Sequence, residues 1–134
     1  DCFDRIAEAA SVHPAVLAAY LLTENAPAGH IRKNSDGSYD VSSMQVNSIN
    51  WETFYTNYGI QPLRLRFDGC VNLMAGAKLV RNVFDRHGKS GIDDWSTFYQ
   101  VAAEYHSATE KYNVRYQEKW IENFKMILED GFEF

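Results

Sequence analysis

The sequence predicts an all-α protein with at most a small β-hairpin. Apolar residues recur at i, i+3 and i+4 spacing over most of the chain, and Gly, Pro, Ser and Asn fall between those runs. Only one stretch, beginning at Tyr39, alternates polar and apolar residues as a strand does. No internal repeat, low-complexity tract or linker divides the 134 residues, so one domain over residues 1–134 is expected.

Residues 1–10 place Phe3, Ile6, Ala7 and Ala10 on one helical face, and Ser11-Val12-His13 breaks the run. Pro14 opens a second helix, because the first helical position leaves its N–H unbonded anyway. Val16, Leu17, Tyr20, Leu21 and Glu24 then share a face, so a carboxylate stands at the end of an apolar stripe. Residues 25–39 turn to Pro, Gly, Asn, Ser and Asp, which reads as a loop or short hairpin with a turn at Asp36-Gly37. Ser48 is placed to cap a helix through Trp51, Phe54 and Tyr55 to Tyr58, with Gly59 beyond its end. Residues 69–87 carry Cys70, Leu73, Ala77, Val80 and Phe84 at helical spacing and form the best buried helix. Residues 92–106 carry Trp95, Phe98, Ala102 and Tyr105, and residues 112–128 carry Tyr116, Trp120, Phe124 and Ile127. Five or six packed helices follow.

Composition narrows the function. Aromatics at 14% and hydrophobics at 46% specify a folded interior. A net charge of −5 argues against nucleic acid, which needs clustered cations to displace counterions, and the runs Ile31-Arg32-Lys33 and Leu63-Arg64-Leu65-Arg66 read as solvated surface. No segment approaches the roughly 20 apolar residues of a membrane span. The start at Asp1-Cys2 fits a mature chain from which an export signal has been removed. Cys2 and Cys70 lack metal-type spacing, which leaves one disulfide or two buried thiols. A bridge would stabilise by about 4 kcal/mol in the chain-entropy model. Neither a phosphate-cradling loop nor a metal cluster is present, so no cofactor and no metal are expected.

Three segments carry candidate chemistry. A carboxyl on an apolar face is desolvated, which disfavours its charged form and prepares Glu24 as a general acid near neutral pH. The plainer alternative is that Glu24 reaches solvent from the last turn of its helix or pairs with Arg32 or Lys33. Residues 39–47, Tyr-Asp-Val-Ser-Ser-Met-Gln-Val-Asn, form either an edge strand or a binding segment. In Ala102-Ala103-Glu104-Tyr105-His106-Ser107, Tyr105 belongs either to the core or to a cleft.

In this order the segments resemble the lysozyme-like lytic transglycosylases, soluble and secretion-associated types included, over nearly the whole chain. The family's helix ending in Leu-Leu, two residues and Glu-Ser is matched by Leu21-Leu22-Thr23-Glu24-Asn25 after Ala19-Tyr20. Its Asn-x-(Asn/Asp)-Gly-(Ser/Thr)-x-Asp turn is matched by Asn34-Ser35-Asp36-Gly37-Ser38-Tyr39-Asp40. Its Gly-x-Met-Gln-(Ile/Val)-Asn is matched by Ser42-Ser43-Met44-Gln45-Val46-Asn47, and its Cys-x-Asn by Cys70-Val71-Asn72. The late Ala-x-Tyr-Asn or Ala-x-Tyr-His-Ser segment appears as Ala103-Glu104-Tyr105-His106-Ser107.

The resemblance implies a lysozyme-like helical domain whose cleft binds the alternating N-acetylglucosamine and N-acetylmuramic acid of bacterial peptidoglycan. It assigns Glu24 as single acid/base: Glu24 protonates the glycosidic oxygen, then takes the proton of the muramoyl 6-hydroxyl, which closes a 1,6-anhydro ring. Met44, Gln45, Asn47, Tyr105 and, in the Tyr-x-x-Lys-Trp segment, Tyr116 match positions that line the sugar subsites. Cys2 and Cys70 match a cysteine pair of secretion-associated members, which favours the disulfide and a periplasmic or other extracytoplasmic location. Glycan strands are the implied partner of a monomer, with a secretion or conjugation apparatus as the machine it would serve.

The chain departs from the pattern at Asn25 for Ser, Ser42 for Gly and His106 for the commoner Asn. A Gly at position 42 would allow φ > 0 or close approach of a glycan. Two rival readings therefore stand: a binding or assembly protein with weakened turnover, and a hydrolytic lysozyme using Asp36 or Asp40 as second carboxylate. Asn47 stands where goose-type lysozymes of similar fold have an acidic residue, which weakens the hydrolase. No acid/base role is assigned to His106.

Overall fold

The computed structural model describes residues 2–88, 94–107 and 110–131, and within them the protein is mostly helical, as the periodicity predicts. The helices are α1 (Phe3–Ala10), α2 (Pro14–Glu24), α3 (Trp51–Tyr58), α4 (Pro62–Phe67), α5 (Gly69–Asp85), α6 (Trp95–Ala103) and α7 (Glu110–Asp130). Between α2 and α3 lies an antiparallel sheet of β1 (Ile31–Lys33), β2 (Tyr39–Val41) and β3 (Val46–Asn47), with β2 central.

Helix α2 is the axis of the molecule. Pro14 occupies its first turn, the His13 imidazole accepts a hydrogen bond from the Ala15 N–H, and every residue from Ala15 to Tyr20 is buried. Helix α7 crosses it with Tyr116, Trp120, Phe124 and Ile127 turned inward. Tyr20 and Trp120 are fully enclosed and their rings meet edge-on at 5.4 Å. Burying one such side chain contributes about 2–3 kcal/mol. The Tyr20 hydroxyl donates to the Ala102 carbonyl at 2.7 Å, which ties α2 to α6 as well. Helix α2 stops because Asn25 takes a left-handed conformation, φ 47°, and returns its N–H to Leu21. Asn tolerates that region better than most side chains. Glu24 is thereby left on the last helical residue, where the chain turns away.

Helix α5 carries Cys70 in its first turn, and the Cys2–Cys70 disulfide fastens the chain just before α1 to it. It also holds the sheet. The fully buried Asn72 donates to the carbonyls of Val41 at 3.0 Å and Leu65 at 2.8 Å, and accepts from the Met44 N–H at 2.9 Å. One turn further along the same face, a methyl group on Gly76 would lie 2.6 Å from Met44 Cβ, so the bare backbone is what lets the 42–47 segment seat against the helix.

Several boundaries differ from the sequence expectation. The sheet has a third strand, because Val46 pairs with Val41 after the tight turn at residues 42–45. Asn47, not Ser48, starts the next element: its carboxamide accepts from the Ile49 N–H and opens a 3-10 turn, Ser48–Asn50, that leads into α3. Helix α4 was expected as solvated surface, yet Leu65 is fully buried and the Arg66 guanidinium donates to the Gly29 carbonyl at 2.8 Å. Helix α6 begins at Trp95, with Asp94 accepting from the Thr97 N–H, and ends at Ala103, which places Tyr105 on the following turn. The expected start at Ile92 lies outside the described residues.

Candidate active site

Glu24 opens onto a cleft of about 730 Å³ whose walls come from the sheet, the C-terminal part of α5 and the turn after α6. Gln45, Asn47, Tyr105 and His106 line it with Arg32, Asp36 and Asp40. The cleft thus gathers residues from segments that the sequence keeps far apart.

The Glu24 carboxyl is pushed up to about 7, chiefly by burial and further by the negative charge of Asp40; the Tyr116 hydrogen bond and the Arg32 cation pull in the opposite direction. Burial wins because few charges reach the carboxyl to repay its desolvation. The Tyr116 hydroxyl donates to Glu24 Oε2 at 2.5 Å, and its own proton is held well above the usual phenol range by burial and by the neighbouring acid. Glu24 therefore titrates near neutral pH, so both its forms are populated there, and the ionised form meets a donor already in place.

Asp40 behaves differently. Its Oδ2 pairs with Arg32 at 3.0 Å and its Oδ1 accepts from the Asn47 amide at 2.9 Å. Asp36 instead closes its own turn, accepting from both the backbone N–H and the hydroxyl of Ser38. The two carboxylates are held by local donors, whereas Glu24 is held by one phenol.

Among the site residues inferred from sequence, Glu24, Gln45, Asn47 and Tyr105 face the cleft. Met44 does not: its side chain is fully buried against Gly76, so it anchors the segment from behind the cleft wall. Tyr116 is likewise a buried backing residue, reaching Glu24 from α7 and not the open cleft. The Tyr105 hydroxyl donates to the Met44 carbonyl at 2.6 Å and fixes the same segment from the opposite side. The Asn47 amide donates to both Ser38 and Asp40, so it braces the cleft wall. Gln45 Nε2 donates to the Ser42 carbonyl at 3.0 Å.

The position where the motif calls for Gly does need a left-handed backbone. Ser42 has φ 61°, and its buried hydroxyl accepts from the Gly29 N–H at 3.1 Å. Its N–H donates to the His30 carbonyl, so Ser42 closes the loop that follows Glu24. Left-handed φ costs a non-Gly residue about 1–2 kcal/mol, which the side-chain bond partly offsets. His106 stacks on Tyr116 with ring centroids 4.9 Å apart and planes 6° from parallel. Burial lowers its pKa and keeps the ring neutral.

Sequence reasoning assigned no role to Asn72 or Arg66, although each holds a wall of the site. For the first, the signals were its place in the Cys70-Val71-Asn72 motif and its polar side chain within the apolar run of residues 69–87. Arg66 gave none, since its contact to Gly29 spans 37 residues.

Among the described residues, no three His, Cys, Asp or Glu side chains group as a metal site requires. Nor is any single described helix long and apolar enough to cross a membrane. The fold and site are those of a mostly helical protein with a polar cleft and one acid at its wall whose pKa burial raises to about 7. No family model matches the chain. The sequence is 26% identical to Invasion protein IagB of Salmonella typhi over 130 residues, which cover 96% of this chain and 78% of that protein.

Proposed function

We propose that this chain is a peptidoglycan lytic transglycosylase of the bacterial envelope that cleaves the bond between N-acetylmuramic acid and N-acetylglucosamine, with Glu24 as its single acid/base. The observation that carries the reading is a carboxyl held up to about 7 at the wall of a polar cleft, with the Tyr116 phenol on its oxygen. Protonated Glu24 gives its proton to the glycosidic oxygen as the anomeric bond breaks. The resulting carboxylate, stabilised by the Tyr116 donor, takes the proton of the muramoyl 6-hydroxyl while O6 bonds to the anomeric carbon. Glu24 ends protonated, no water is consumed, and the product is a 1,6-anhydro sugar.

A hydrolase would need a second carboxylate free to activate water or attack the sugar. Both oxygens of Asp40 are already engaged, by Arg32 and Asn47, which supports the single-carboxylate route. The disulfide suits an oxidising compartment outside the cytoplasm, and similarity to a protein named for invasion suits local wall opening beside a secretion or conjugation apparatus. A single domain acting as a monomer on glycan strands completes the reading.

The test is release of soluble muropeptides from purified peptidoglycan. The parent chain is expected to release them and Glu24→Gln to lose at least a hundredfold in rate, as removal of a general acid does. Equal release by both would remove Glu24 from the chemistry. Sedimentation of the parent with peptidoglycan, without release, would mean a binding protein instead.

A further inference from the structure

The Glu24 cleft has a neighbour. Asn50, Leu79 and Asn82 line it and also line a second groove of about 430 Å³ between α3 and α5, so the two hollows adjoin across these residues. Their chemistry differs. The main cleft carries the four acids Glu24, Asp36, Asp40 and Glu104 against the two cations Arg32 and Arg86, whereas the second groove is lined by Lys78 and Arg81 and by no carboxylate. On a chain of net charge −5, a cationic groove without an acid is an exception.

Three amide side chains of the second groove are also uncommitted. The carboxamides of Asn50, Asn57 and Asn82 meet no hydrogen-bond partner among the described residues. Arg81 is paired with Asp85 at 2.8 Å, but the Lys78 ammonium rests on the Tyr58 ring at 4.9 Å with no carboxylate in ion-pair range among the described residues. An uncharged sugar has no use for that cation. An acidic peptide does: amides match its backbone groups and an ammonium its carboxylates.

We propose that this groove seats the acidic peptide branch of the glycan whose backbone lies in the Glu24 cleft, with Lys78 meeting a peptide carboxylate. The inference rests on the peptidoglycan reading and adds to it a preference for strands that still carry their peptides. An exposed charge pair of this kind is worth about fivefold in affinity and is weakened by salt.

The experiment measures binding of Glu24→Gln, which holds glycan without turning it over, to soluble glycan oligomers with intact peptides and to the same oligomers after amidase has removed them. The expected result is about fivefold tighter binding of the peptide-bearing oligomers at low salt, with the ratio falling towards one in Glu24→Gln/Lys78→Gln. Equal affinity for the two oligomers, or a ratio that Lys78→Gln leaves unchanged, would overturn the proposal while the glycan reading stood. Binding of neither oligomer would instead reject the peptidoglycan reading itself, and this inference with it.

Discussion

The Tyr116 phenol donates to Glu24 Oε2 at 2.5 Å, joining residues 92 positions apart, and it is the only side-chain hydrogen bond that the acid makes among the described residues. The bond favours the ionised acid and so lowers a pKa that burial alone would raise further. Tyr116→Phe removes it while keeping a ring beneath His106. The alkaline limb of the rate profile, set near 7 in the parent, should then move upward, with kcat falling because the carboxylate formed in the reaction loses its donor. A pH series of muropeptide release checks both effects.

The same raised pKa makes a stability prediction. Between the unfolded value of 4.5 and the folded value of about 7, the folded chain binds more protons at Glu24 than the unfolded chain does. Stability contributed by this group is therefore complete below the lower value and is lost as pH rises through the upper one. Glu24→Gln abolishes the loss, so at about pH 8 the variant should be more stable than the parent by about 3 kcal/mol, with the pH-dependent part of that gap gone by about pH 4. Denaturant unfolding at the two pH values measures it.

Ser42 already holds the left-handed backbone that a Gly would allow, at φ 61°. Ser42→Gly trades relieved strain against the lost bond to Gly29 and should change stability by less than about 1 kcal/mol. Ser42→Ala keeps the strain and loses the bond, and should cost about 1–2 kcal/mol. Unfolding curves of the two variants separate these contributions.

Gly76→Ala would drive a methyl group into Met44, whose Cβ, Cγ and Cε all lie within 2.7 Å of the added carbon. Overpacking of this sort costs about 1–3 kcal/mol. The displaced segment carries Gln45 and Asn47 into the cleft wall, so the variant should lose activity out of proportion to its stability. Thermal unfolding and release assays on the same preparation test that pairing.

Much of this was legible in the sequence. The inward positions Tyr116, Trp120, Phe124 and Ile127 declared α7, because helix period and burial coincide there, and Pro14 with the apolar run after it declared α2, which is buried on every side from Ala15 to Tyr20. What the sequence hid depends on contacts between distant segments. Met44 reads as a cleft residue from its motif, but only the fold shows Gly76 waiting for it. Helix α4 has six residues, too few for periodicity to reveal, and its role appears only through Arg66 on the loop after Glu24. Tyr116 carries the spacing of a core aromatic, and its hydroxyl finds Glu24 through the crossing of α2 and α7.

The central claim is that one acid suffices because the substrate supplies the nucleophile. Its most direct test is mass spectrometry of muropeptides released from purified peptidoglycan in water enriched in heavy oxygen. Anhydro ends without label, formed by the parent and not by Glu24→Gln, are the predicted result. Reducing ends carrying the heavy oxygen would contradict it, since water would then be the nucleophile and a second group would have to activate it.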